Sequence, residues 1–220
     1  MKEIFSYENK VVQLLMKIAD MAMLNVLYIL CCIPIFTIGA AQAGLYGGIR
    51  QLMNKDDDTS CFRAYFRAFR SGFKQITLAY LVYLLAMVLL CVLLMWVQFW
   101  SYAGFGGAPI WMCLAVMGIL AVFWSVLGPF HASFSCSTGQ LIRNLFFITM
   151  AYPLQSILSG VVLYMPVILL LVDIYSFLEL TVLWLLLYYA MAFLLIHLLM
   201  KGPMEELKRN YLSAEQADVQ

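Results

Sequence analysis

Few residues in this chain have the type and spacing to do chemistry, and each has a plainer role beside the active one. His131 follows Gly128-Pro129 at the end of one apolar run, and His197 lies one turn before Lys201 at the end of another. Two imidazoles in separate runs do not make a metal site, which takes about four converging ligands. Asp20 stands one turn after Lys17, a local pair rather than a proton relay. Asn25, Thr37 and Gln42 are polar groups in a long apolar stretch around Pro34 and Gly39. In a membrane such groups either bond a neighbouring helix or line a polar cleft at a helix break. Asp173 and Glu179 flank a short turn. There is no H-E-x-x-H, no G-x-S-x-G, no phosphate-cradling glycine loop and no paired-carboxylate arrangement. The expectation is a protein without catalytic residues, cofactor or metal, and not an enzyme.

The elements that must position these residues follow from composition. Apolar residues make up 65% of the 220 and charged ones 11%, against roughly 45–50% and about 25% in an average soluble domain. Of 13 basic and 12 acidic side chains, only Arg143, Asp173 and Glu179 fall between Gln75 and Met200. No water-facing surface can be built from that stretch. The chain therefore reads as an all-α, polytopic helical membrane protein: one membrane domain over residues 1–205 and a polar tail over 206–220. A net charge of +1 argues against a nucleic-acid partner. Cys31, Cys32, Cys91 and Cys113 lie in apolar runs and read as small hydrophobes, and Cys61 and Cys136 as free thiols. Ala41-Gln42-Ala43 resembles a signal cleavage site. Glu3 and Glu8 among the leading lysines, with Asp20, Asn25 and Pro34 in the run, favour a retained segment.

A crossing takes about 20 mostly apolar residues. Ile76–Gln98, Ile110–Phe134, Leu145–Val172 and Phe177–Met200 meet this, the third bent at Pro153 and Pro166 and the last ended by Lys201-Gly202-Pro203. The first apolar region, residues 18–49, would run roughly 48 Å as one helix. Pro34 and Gly39 bracket a break. Beyond it Gly39, Ala43 and Gly47, and likewise Ala40, Gly44 and Gly48, recur every fourth residue, the spacing that lets helices approach closely in a membrane. Two readings stand: one tilted span, or a hairpin whose second limb returns to its starting side. Five or six crossings follow.

Charge favours the hairpin. Lys2, Lys10 and Lys17 lie before the first run; Arg50, Lys55, Arg63, Arg67, Arg70 and Lys74 lie in segment 50–75; Lys201, Lys208 and Arg209 follow the last run. The loops Phe99–Pro109 and around Asp173 carry no lysine or arginine. By the positive-inside rule segment 50–75, Arg143 and the C-terminus are cytoplasmic. Residues 1–17 share that side only if the first region turns back. Trp96, Trp100, Tyr102 and Trp111 mark the outer interface.

Within 50–75, Asp56-Asp57-Asp58-Thr59-Ser60 suits a helix start. Phe62, Tyr65, Phe66, Phe69 and Phe73 then fall on one helical face, with Arg63, Arg67, Arg70 and Lys74 one position on. An aromatic face flanked by cations describes a helix in the headgroup plane of an anionic inner leaflet, or a docking surface for a protein partner.

Leu24-Asn25, Cys32-Ile-Pro34-Ile-Phe-Thr37-Ile-Gly39-Ala-Ala41 and Ala43-Gly-Leu-Tyr46 resemble the N-terminal signature of the YesL family of bacterial integral membrane proteins, a domain of unknown function. The aromatic segment and the order of the later spans are similar too, over about residues 5–205. The matching positions are Asn25, Pro34, Thr37, Gly39, Ala41 and Tyr46. The resemblance implies a multi-pass protein of the bacterial plasma membrane whose relatives are often found beside carbohydrate uptake systems and their sensor kinases. It supplies no catalytic residue to carry over. The expectation is a non-enzymatic accessory protein of a transporter or sensor kinase. The rival is a small solute transporter or channel, its site at the break and lined by Asn25, Pro34, Thr37, Gly39 and Gln42.

Overall fold

The computed structural model describes residues 10–54, 60–100, 107–133 and 138–218. Its order is α1 (Lys10–Cys32), a 3-10 turn (Ile35–Thr37), α2 (Ile38–Met53), α3 (Cys61–Ser71), α4 (Phe73–Trp100), α5 (Ala108–Ser133), α6 (Thr138–Ala151), α7 (Pro153–Val172), α8 (Ile174–Glu179), α9 (Thr181–Leu183), a π turn (Trp184–Tyr188) and α10 (Tyr189–Asp218). There is no strand among the described residues. Among the described residues five helical stretches are long and apolar enough to cross a membrane: Val12–Cys32, Phe73–Trp100, Ala108–His131, Pro153–Val172 and Thr181–Arg209.

The first apolar region folds back on itself. The side chain of Leu24 touches Gly48, whereas a continuous helix would hold residues 24 apart at roughly 36 Å. Pro34 lacks an N–H and biases Ile33 away from helix. Thr37 secures the turn, its hydroxyl 2.6 Å from the carbonyls of both Cys31 and Pro34. Thr37→Val keeps the shape and removes that donor. It should lower stability by about 1 kcal/mol, read as an earlier midpoint in detergent-titrated unfolding.

The returning limb α2 is the hub, packed on by α1, α3, α4, α5 and α10. Its small residues make this possible. A Cβ added at Gly39 would lie 2.8 Å from Tyr80 Cβ, and one at Gly47 would lie 2.5 Å from Ala68 Cβ. Neither separation exists between real side chains, so the backbones meet there only because glycine has nothing to place between them. On α1, Met21, Leu24, Asn25 and Tyr28 form the inward stripe, at the spacing of one helical face.

Outward faces are apolar. Along α4 only Ile76 and Tyr80 are buried, while Val82, Leu85, Leu89, Val92 and Met95 stand exposed. Water would not tolerate such a surface and lipid does. Trp96, Trp100 and Trp111 are exposed where α4 ends and α5 begins; Tyr102 and the acidic run Asp56–Thr59 lie outside the described residues, as does Cys136.

Two boundaries differ from the expected spans. The run Leu145–Val172 is divided, because Pro153 starts a new helix and Tyr152 before it leaves the helical conformation at φ −127° and ψ 63°. Proline is favoured at that first position and bars the preceding residue from helix. Gly202-Pro203, expected to stop the helix at the end of the last span, does not: α10 runs on to Asp218. Pro203 and Met204 are buried and Leu207 packs on the core, so packing outweighs the local helix-breaking preference. Tyr152 also donates to Glu206 Oε2 at 2.5 Å. That bond, and the repulsion a phenolate would feel from Glu206, hold the Tyr152 phenol above its ordinary range. With the folded value raised, the contact is intact below about pH 10 and is lost as pH climbs through the folded value. Tyr152→Phe should therefore flatten the alkaline fall in melting temperature above about pH 10.

Candidate functional site

The residues expected to line a cleft at the helix break do not converge there. Asn25 is completely buried and faces the last helix: its amide nitrogen donates to the carbonyls of Leu185 at 2.7 Å and Trp184 at 3.3 Å, and its oxygen accepts from Ala190 N–H at 3.0 Å. These three groups flank the π turn, where the winding widens and the α ladder is interrupted. Thr37 is committed to its own break. Gly39 abuts Ile76 and Tyr80, Pro34 is exposed at the hairpin tip, and Gln42 is half-buried within hydrogen-bonding reach of Tyr28. Of the other buried residues, Ser125, Thr149, Ser156 and Ser159 each donate to a carbonyl three or four positions earlier in the chain. These groups are structural.

The basic aromatic helix α3 departs from the flat surface helix in one respect. Tyr65 is completely buried, its ring edge against Gly44 and its hydroxyl beside Cys31. Burial pushes the pKa of the Tyr65 phenol and the Cys61 thiol up. Phe62 and Phe69 pack half-buried on the core, Phe73 is partly covered at the head of α4, and Phe66 points outward. Because α2 presents glycine at residues 44, 47 and 48, α3 sinks a side of its helix into the protein instead of floating on lipid. Arg63, Arg67, Arg70 and Lys74 remain exposed.

What converges lies at the basic end of the bundle, around Arg50 near the end of α2. On one side a cavity of about 420 Å³ opens between α2, α3 and α5. Its floor is Ala43, Gly47, Ala64 and Ala68, small residues that leave room. Its walls are Arg50, Gln51, Asn54, Arg67, Ser71 and His131, with no carboxylate among the described residues. On the other side a cavity of about 210 Å³ is lined by Tyr46, Arg50, His197, Lys201 and Glu205 among others. Tyr46 Oη and His197 Nδ1 lie 2.9 Å apart, tying α2 to α10. The two histidines therefore stand on opposite sides of one arginine. Sequence reasoning placed both at the inner ends of their spans but gave no sign that Arg50 joins them, since residues 50, 131 and 197 meet only through the fold. Among the described residues no three His, Cys, Asp or Glu side chains converge to hold a metal ion.

Residues 21–94 match the family described as "Protein of unknown function, DUF624". The chain is similar to this family over that stretch. The YesL family is the DUF624 family, and the resemblance carried by residues 24–46 stands. In the fold the matched stretch is the inward stripe of α1, the break, α2, α3 and most of α4. It thus contains every glycine contact of α2, together with Arg50 and Arg67, while His131 and His197 come from helices beyond it. No curated protein and no solved structure matches the chain.

Proposed function

We propose that this is a non-enzymatic accessory protein of the bacterial plasma membrane, multi-pass with its C-terminus cytoplasmic, associated with a carbohydrate transporter or its sensor kinase. The observation that carries the reading is the seating of α3. One side of that helix is locked into the glycine face of α2, and the other presents Arg63, Phe66 and Arg70 outward. A rigidly held basic aromatic ridge is suited to a protein partner or to anionic inner-leaflet lipid, where each cation contributes about 1 kcal/mol. The YesL resemblance supplies the class of partner, and the lysine and arginine distribution supplies the orientation. The membrane interior adds support, because Asn25 ties α1 to the last helix and Ser125, Thr149, Ser156 and Ser159 are engaged by nearby carbonyls.

Cross-linking in the native membrane and purification in mild detergent tests this. A transporter or sensor-kinase subunit should co-purify, and Arg63→Glu with Arg70→Glu should release it. Recovery of the protein alone, with sugar uptake and signalling unchanged on deletion, would remove the proposal.

A further inference from the structure

The larger cavity at the basic end is built like an anion site, and we infer that it binds a phosphate-bearing group. Three helices bring cationic or hydrogen-donating groups to one space: Arg50 from α2, Arg67 and Ser71 from α3, His131 from α5. Guanidinium forks from two directions suit a tetrahedral anion with several equivalent oxygens, whereas one fork suffices for a planar carboxylate. Among the described residues no acidic side chain lines the space. The floor matters equally. Gly47, Ala64 and Ala68 keep about 420 Å³ empty, within the range of small-ligand pockets and larger than phosphate alone. The occupant is therefore a phosphate carried on something else.

His131 is placed for this by a close approach. A Cβ at Gly72 would lie 2.5 Å from His131 Nε2, so the ring reaches the α3–α4 junction only because residue 72 is glycine. Its Nδ1 is buried and closed off from the open space, so the ring serves as a wall of the cavity. The site is distinct from the outward ridge of α3, so it stands or falls separately from the partner reading. A phosphate-bearing group at this end of a membrane protein has two sources, a lipid headgroup and a soluble phosphate ester, and the same side chains serve both.

The test has two arms on the full chain. In the first, protein in an uncharged maltoside detergent is titrated with inorganic phosphate, with acetate at equal ionic strength as the planar-anion control. In the second, nanodiscs of phosphatidylcholine with and without phosphatidic acid are opened in the mass spectrometer and retained lipid is counted. Saturable binding is expected in at least one arm. Arg67→Gln and Arg50→Gln should each weaken it about tenfold, the loss of one charge-assisted bond. Lys208→Gln, which removes a cation outside the cavity lining, should leave it within about twofold. Phosphate binding marks a soluble ester as the source, and phosphatidic acid retained without phosphate binding marks a headgroup. Arg67 is exposed on α3, so its variant keeps the test valid should Arg50→Gln fail to fold. No saturable binding in either arm, equal binding of acetate, or an equal loss with Lys208→Gln would overturn the inference.

Discussion

Asn25→Leu should destabilise the protein by about 2–4 kcal/mol, although leucine is the more apolar side chain and sits in a membrane helix. The side chain serves two carbonyls and one N–H of the last helix. Each such bond inside a membrane contributes roughly 0.6–2 kcal/mol, and losing all three strands backbone groups in apolar surroundings. Hydrophobic gain is small because the site is already out of water. Unfolding of the detergent-solubilised protein, followed by tryptophan fluorescence as Trp184 loses its contacts, reads the change. Asn25→Asp should fall between the two, since a carboxyl keeps the acceptor and loses the paired donors. A midpoint unchanged by Asn25→Leu would mean that the π turn closes by itself and that Asn25 does not hold it.

The second large effect is steric. Gly47→Ala would set a methyl 2.5 Å from Ala68 Cβ, and α3 must move off α2 to admit it. Overpacking of this kind costs about 1–3 kcal/mol. Removing the opposing methyl as well should recover most of it: Gly47→Ala with Ala68→Gly should be more stable than Gly47→Ala alone by about 1–2 kcal/mol, despite adding a glycine to a helix. That sign is diagnostic. If Ala68→Gly lowers stability equally in both backgrounds, residues 47 and 68 are not in contact.

These contacts show how far the chain could be read in advance. The membrane-spanning class was written in the distribution of charge, because 126 nearly uncharged residues admit one solvent. The small residues of α2 were visible as a stripe at every fourth position, yet a stripe names no partner. The basic aromatic helix looked like a complete amphipathic element, and its inward side could be assigned only once the fold laid Tyr65 against Gly44. Gly202-Pro203 misled because local propensity is worth about 1–3 kcal/mol, less than burying Pro203, Met204 and Leu207 can return. Asn25 was legible as an interhelical donor, but not its partner 159 residues away. The cavity around Arg50 was least legible, its walls drawn from α2, α3 and α5 with no common motif.

The fold-back of the first apolar region underlies each of these results, since it delivers α2 to the centre and returns Arg50 to the side where α1 began. Single cysteines at Lys17 and at Gln51, introduced into a cysteine-free chain, test it directly with a membrane-impermeant maleimide on intact and on inverted vesicles. Both positions should label from the same side, that of the basic end. Labelling of Lys17 and Gln51 from opposite sides would contradict the hairpin and dissolve the cavity built on it.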